Sequence, residues 1–516
     1  MVGVNLVQSL EEFRALRDRR ALRPDVLRGL VAAASSVLLI HDPRDHVARR
    51  VAVRLLGEIA TLDNGGLSRI GRRAIFAELV EPLADAFTPD AAARYDMLFA
   101  PLIQLCRRDP AGKRLDEVLA QFGIRSEADL LKRKAFISRL RPFPRGGRER
   151  VRKVFVLSRV TVGADVAVTS VVLTKMKLIF PHAEIALVGS AKTQELFGGD
   201  ARITFVTVPY PRHGGLRERL EAWVEVVDML GDATKGLQPS EHLVVDPDSR
   251  YTQLGLLPVT RDHRAYRFFD SRGFSSPGRR SLTRLTAAWL DEVFGASERP
   301  LYAYVHLRDR DRQFAEGLRE QLRSRHERPF VAVSFGVGGN PRKRISDDFE
   351  SGMLHQLLAD GNLVILDKGL AEETERANRL LRALSERGKR VVEIGEGANP
   401  SLVGARGPRC DIVAWQGGIG GFSALIGASR SYVGYDSGFQ HVAGALGVPL
   451  VDIFVGAPNA RFARRWRPCS RVPARVIDVG QDVVASSTAV RRLLRRAAQA
   501  HRELSRHGRS RLTRQG

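Results

Sequence analysis

SYVGYDSGFQHVAGALGVPLVDIFVGAPNARFARRWRP, Ser431 to Pro468, reads as strand, polar elbow, helix and strand. Tyr432 to Gly434 is a short apolar approach, and Asp436-Ser437-Gly438 is turn chemistry. His441 to Leu446 carries small residues at helical spacing, and Gly447-Val448-Pro449 punctuates the chain before the apolar run Leu450 to Phe454. A helix that starts just after a Ser-Gly elbow aims unpaired backbone N–H groups beyond the strand end. Those groups and the helix dipole favour an anion such as a diphosphate.

The same alternation extends outward from this stretch. Val154 to Leu157, Ile185 to Val188, Ile203 to Val208 and Leu243 to Val245 read as buried strands, with a helix over Ala167 to Phe180. A second series runs through the strand Phe330 to Ser334, the helix Phe349 to Ala359 and the strand Leu363 to Leu366, and ends near Val479. Two Rossmann-like halves follow, and doubly wound sheets place ligands at the carboxyl ends of their strands. The loops after Leu157, Phe335 and Gly434 are therefore expected to meet across one cleft.

Before residue 140 no strand pattern occurs. Asp45 to Ala60, Arg69 to Phe87 and Ala91 to Arg107 carry apolar residues at three- and four-residue spacing, with breakers at Asp63-Asn64-Gly65-Gly66, Thr88-Pro89 and Asp109-Pro110. The expected organisation is an all-helical accessory domain over 1–140, a basic linker over 141–152, a first Rossmann-like domain over 153–328, a second over 329–485, and a basic terminal helix and tail over 486–516. The helical domain is either a cap on the body or a docking module.

Composition bounds the class. With 516 residues, 44% hydrophobic and 27% charged, the chain holds several globular domains. Cys106, Cys410 and Cys469 form no metal-ligand spacing and read as free thiols of a reducing cytoplasm. The start, with Glu11 and Glu12, lacks the pattern of a secretory signal, and the longest apolar stretch, Gly29 to Ile40, is too short to span a bilayer. A net charge of +24 sets up a positive field that attracts phosphate-rich partners. Nucleic acid, an anionic membrane surface and a phosphorylated acceptor all fit that field, but no nucleic-acid recognition motif is present.

The pattern Asp436, Ser437, Gly438, His441, Ala443, Ala445, Gly447 and Pro449 resembles glycosyltransferase family 9, which includes the ADP-heptose:lipopolysaccharide heptosyltransferases. Weaker similarity extends over roughly Val151 to Val479. The resemblance implies the GT-B fold of two facing Rossmann-like domains, inverting transfer and no metal or other cofactor. Its partners would be a nucleoside-diphosphate sugar as donor and a glycan or glycolipid as acceptor, at or near the inner face of the cytoplasmic membrane.

Residue by residue, the resemblance assigns roles. In Arg159 to Leu173 it makes Asp165 the base at a strand-to-helix turn, with Thr161 and Gly163 on the acceptor side. A hydroxyl is a poor nucleophile until a placed carboxylate takes its proton, while the leaving diphosphate is stabilised from the other face. An aspartate at such a turn also serves as an ordinary helix N-cap. Here the glycine stands two residues before Asp165, a departure from the family's Gly-Asp pair. On the donor side stand Ser334 and Gly336 in the loop Ser334 to Arg344, then Arg342 or Lys343 as phosphate cation, Gln416 beside Trp415 in the base-recognition segment, and Asp436, Ser437, Gly438 and His441 in the elbow. Trp415 also reads as core, His441 as a packing residue, and the run Gly417 to Gly421 is no dinucleotide fingerprint.

From Thr488 onward the chain reads as a basic amphipathic helix, with Val490, Leu493, Leu494, Ala497, His501 and Leu504 on one stripe. Such a helix either lies on an anionic membrane or crosses back onto the first Rossmann-like domain. His507 to Gly516 reads as disordered. Two alternatives to the transferase stand beside it: a binding protein without turnover, and a nucleic-acid-binding protein suggested by charge alone.

Overall fold

The computed structural model describes residues 5–39, 46–62, 65–108, 112–211, 214–324, 327–370, 372–396, 410–480 and 486–512. Its contacts form two compact units, one of Met1–Val160, Val206–Ser276 and Glu292–Gly295, the other of Thr161–Phe205, Pro277–Asp291 and Ala296–Gly516.

The first unit begins with helices Leu6–Asp18, Pro24–Leu39, His46–Ala60, Gly65–Ile75, Pro89–Arg108, Lys113–Gln121 and Glu127–Ile137. Gly65 and Gly66, expected to break the chain, open a helix instead, while Asp63-Asn64 and Asp109-Pro110 lie outside the described residues. The segment expected as one helix to Phe87 is interrupted by a π turn at Phe76–Val80, just ahead of Pro82. A proline ring clashes with the carbonyl four residues before it, and a widened turn relieves that clash. The helix Glu127–Ile137 is fixed by a capping box between Ser126 and Asp129. Its Arg133 donates to the carbonyls of Gly255 and Leu256, and its Lys134 to that of Leu254. Gln253, Leu254 and Gly255 all have positive φ, and their turned-out carbonyls need such donors. These bonds make the helical segment a cap over the loop that follows β4. The basic stretch before the first strand is held as well: the Phe143 amide donates to the Val293 carbonyl at 2.7 Å, and Arg145–Arg150 forms a 3-10 helix.

Two parallel sheets carry the α/β part. The first comprises β1 (Lys153–Leu157), β2 (Glu184–Gly189), β3 (Ile203–Thr207), β4 (His242–Asp246) and β5 (Tyr266–Phe268), in the order β3-β2-β1-β4-β5. The second comprises β6 (Phe330–Ser334), β7 (Leu363–Asp367), β8 (Val391–Gly395), β9 (Ile412–Gln416), β10 (Ser431–Tyr435), β11 (Leu450–Val455) and β12 (Ala474–Val479), in the order β12-β11-β10-β6-β7-β9-β8. The expected strands fall within about a residue of these. From β6 the chain turns to β7 on one side, while β10 later joins on the other. The order thus reverses between β6 and β10, which pair from Ser431↔Val331 to Gly434↔Ser334. Open α/β sheets leave a crevice at such a switch point.

The terminal helix, Ser487–Leu512, departs from both expectations. Its stripe of Val490, Leu493, Ala497 and Leu504 is buried in one core with Val433, Val451, Ile477, Phe349 and Met353, on the second sheet. It neither crosses to the first sheet nor leaves its apolar face to a membrane, because the strands β10 to β12 offer that face a dry partner. The backbone is helical to Leu512, and Thr513 to Gly516 lie outside the described residues. No described helix is long and apolar enough to cross a membrane. Leu493→Ala is expected to cost about 2–5 kcal/mol in urea unfolding, the range for a buried leucine. Unchanged stability would show that the stripe is not core.

Candidate functional site

The elbow is built by two close approaches within the second unit. After β10, Ser437 is extended at φ −148° and ψ −178°, so the helix starts at Gly438 and runs to Ala445, three residues earlier than expected. A β-carbon on Gly438 would lie 2.7 Å from Val162 Cγ1 and 3.1 Å from the Gly163 amide nitrogen. One on Gly163 would meet His441 Cδ2 at 3.1 Å and Gly438 Cα at 3.3 Å. The two glycines therefore let the N-terminus of Gly438–Ala445 abut that of the helix beginning at Val162. Neither N-terminus has a side-chain cap. Two positive dipole ends thus converge, and an anion relieves their repulsion.

The charged side chains around the elbow are arranged in a chain. Lys343 Nζ lies 2.6 Å from Asp436 Oδ2, and Gln440 Nε2 donates to Asp436 Oδ1. Asp436 is 5% exposed, and its amide donates to the Ile453 carbonyl, so both carboxylate oxygens and the amide are already engaged. Of the two expected phosphate cations, Lys343 reaches the elbow. Arg342 is exposed, and Arg344 binds Glu350 and Asp347. His441 is buried beside Trp466, at 5.8 Å between ring centroids. Burial, with Lys343 adding and Asp436 opposing, pushes its pKa down to about 4, so near neutrality the ring is uncharged.

The glycine loop after β6 holds an internal anion. The amides of Val337 and Gly338 donate to Glu373 Oε1 at 2.7 and 3.1 Å, and the Gly336 amide to Ser334 Oγ at 3.4 Å. Ser334 Oγ in turn donates to Asp367 Oδ2 at 3.1 Å, and burial pushes the Asp367 carboxyl up to about 6. At the end of β9, Gln416 Nε2 donates to the Gly369 carbonyl. Trp415 is buried against Phe314, and Gly417 and Gly421 make room for its indole, since a β-carbon on either would lie 2.4 Å from Trp415 Cζ2. This accounts for two glycines of the run; β-carbons on the other two, Gly418 and Gly420, would meet Glu195 and Asp311. The helix that follows, Ile419–Ala428, has the Gly418 and Gly420 amides bound to the carboxylates of Glu396 and Glu195.

Asp165 sits one turn inside its helix, which starts at Val162 rather than near Ala167, and the N-cap position belongs to Thr161. It opens a π turn, Asp165–Thr169, in which the Ser170 amide donates to the Asp165 carbonyl. Such turns recur at functional sites. Its carboxylate accepts from Thr169 Oγ1 at 2.7 Å and is 3% exposed. Thr161, Gly163, Asp165, Ser334, Gly336, Lys343, Gln416, Asp436, Ser437, Gly438 and His441 all belong to the second unit, and Gly163, Gly438, His441, Lys343 and Asp436 are in direct contact or one contact apart.

Three residues were missed by sequence reasoning. Glu373 and Gln440 carry no motif. Asp452 did carry a signal, a carboxylate inside the apolar run Leu450 to Val455. It is fully buried, neither carboxylate oxygen has a hydrogen-bond partner, and burial beside Asp436 pushes it well above the usual carboxylate range. Among the described residues, no group of three or more His, Cys, Asp or Glu is placed to hold a metal.

No protein-family model matches the chain, and no curated protein does. Among solved structures, E. coli ADP-heptose LPS heptosyltransferase II is similar at 17% identity over 69% of this chain and 99% of that one, with a TM-score of 0.46. A family 9 glycosyltransferase from Veillonella parvula DSM 2008 gives 14%, 69%, 97% and 0.47. The E. coli heptosyltransferase WaaC with ADP gives 15%, 67%, 99% and 0.42. TM-scores below 0.5 are too low to decide anything about the site.

Two outcomes are expected. Gly438→Ala forces its methyl into Val162 and the Gly163 amide and is expected to lower stability by about 1–3 kcal/mol, the cost of overpacking, with a smaller loss for Gly163→Ala; thermal melts of both variants check this. Stability is also expected to fall as pH drops from about 6.5 toward 4. His441 and His501 both have folded pKa values pushed down to about 4, so in that window the unfolded chain binds more protons. The loss is up to about 3 kcal/mol per histidine, and urea unfolding at stepped pH should show it shrinking in His441→Gln.

Proposed function

We propose that this protein is a glycosyltransferase that uses a nucleoside-diphosphate sugar. The carrying observation is the uncapped N-terminus of Gly438–Ala445, set at the switch point between β6 and β10 with the Lys343 ammonium beside it. A diphosphate over Ser437 and Gly438 would take the free amide direction and the dipole, and would share Lys343 with Asp436. The neutral ring of His441 can donate one N–H to a phosphate oxygen.

The reaction in this reading is a single displacement with inversion. Asp165 takes the proton of an acceptor hydroxyl, the hydroxyl oxygen attacks the anomeric carbon, and the bond to the diphosphate breaks as negative charge collects near Lys343. No metal enters the scheme, as the family 9 resemblance implies; that resemblance also names heptose as sugar and a lipopolysaccharide precursor as acceptor. Asp165 lies two residues from Gly163, and Gly163 touches Gly438, which supports a short path between base and donor. In this reading the Asp165 carboxylate, which accepts from Thr169 Oγ1 at Oδ1, takes a further bond from the acceptor hydroxyl.

A second reading, donor binding without turnover, is favoured by that same burial of Asp165 and by the Glu373 carboxylate on the glycine-loop amides.

The test separates the two. In thermal-shift titrations against ADP, GDP, UDP, dTDP and their sugars, one nucleotide should stabilise selectively, by about 2.7 kcal/mol at a hundred times its dissociation constant. Lys343→Ala should weaken that binding about 10- to 100-fold, the worth of a charged contact. Asp165→Asn should keep donor binding and lose transfer. Binding without any transfer in the unmodified protein would establish the second reading, and no shift with any nucleotide would remove both.

A further inference from the structure

The helices Val162–Ile179 and Gly438–Ala445 meet at their N-termini, but their opposite ends open on a cavity of about 900 Å³. That is within the range of small-molecule sites. Eight residues of helix, about 12 Å, separate it from the elbow. Its walls combine two chemistries. Cations come from Lys175, Lys177, Arg299 and Arg471. Lys175 is buried and bound to Asp291 at 3.0 Å, and Lys177 is bound to Asp200. With each lysine set against its aspartate, Arg299 and Arg471, joined by Arg284 on the Tyr302 ring at 4.8 Å and beside Cys469, stand against Glu298, an excess of two positive charges. Arg471 stacks on the Tyr302 ring at 4.3 Å, which fixes its guanidinium at the wall. The second chemistry is apolar: Ile179, Leu301 and Leu446 line the cavity, and Leu178 on the same wall is 62% exposed. A large apolar side chain in water next to a positioned cation suits a ligand with one charged end and one greasy end.

We propose that this cavity is a second binding site, for an amphiphilic anion: one phosphate or carboxylate against Arg471 and Arg299, and an apolar chain against Leu178 and Leu446. A nucleoside polyphosphate fits poorly, since two excess positive charges do not balance three or more negative ones and its base and ribose leave Leu178 uncovered. A sugar fits poorly too, since it leaves Leu178 uncovered.

Cys469 lines the same cavity and supplies the readout, for Cys106 and Cys410 are buried in the core and Cys469 is partly exposed. Alkylation by iodoacetamide, followed by mass spectrometry of each cysteine peptide, reports occupancy. Dodecyl phosphate below its micelle concentration is expected to slow alkylation of Cys469 at least fivefold, with no effect from inorganic phosphate or from dodecyl maltoside. Equal protection by phosphatidylglycerol vesicles would give a membrane lipid as the source of the headgroup, and protection by the monomer alone a soluble amphiphile. Arg299→Glu, remote in sequence from Cys469, should weaken dodecyl phosphate binding at least tenfold by calorimetry while its melting curve stays that of the parent. Protection by inorganic phosphate alone, equal protection by the maltoside, unchanged binding in Arg299→Glu, or no protection at all would overturn the proposal.

Discussion

Everything at the candidate site depends on one contact, the approach of Gly438 to Val162 and Gly163. Two helix N-termini are brought together head to head, an arrangement that is electrostatically unfavourable by itself. The chain tolerates it because neither glycine has a side chain to keep the ends apart, and because a carboxylate stands two residues from each glycine, Asp165 after Gly163 and Asp436 before Gly438. Packing fixes the geometry, and the geometry creates a demand for negative charge.

How that demand is met differs along the second sheet. At the loop after β6, Glu373 accepts from two backbone amides. At the helix after β9, Glu195 and Glu396 do the same. In both places the protein carries its own anion. At the elbow the nearest carboxylate, Asp436, turns instead to Lys343 and Gln440. The elbow is thus distinguished from its neighbours by where its carboxylate points, a more selective criterion than the presence of glycines.

Much of this was legible in the sequence, and the reasons are physical. Buried parallel strands are short apolar runs ended by Gly, Asp or Pro, so β1, β4, β6, β7 and β10 could be placed almost to the residue. The elbow was readable because turn chemistry is local. Less legible was anything set by long-range packing. Helix starts came three to five residues early at Val162 and Gly438, since the contact between them organises both ends. Lys343 finds its partner in a side chain 93 positions away, and Glu373 in backbone amides 35 and 36 positions away. The destination of the terminal helix was misjudged because amphipathicity announces that a face will be covered, without saying by what.

That terminal helix closes a core whose other members, from Val331 to Val479, precede it in the chain. During synthesis, strands β6 to β12 must wait for their cover, with Val433, Val451 and Ile477 open to water until Val490, Leu493 and Leu504 have been made. The second sheet is therefore exposed to mispairing and to chaperone binding for the time it takes to make the last stretch of the helix, and a chain cut short before Ser487 would keep that wound permanently.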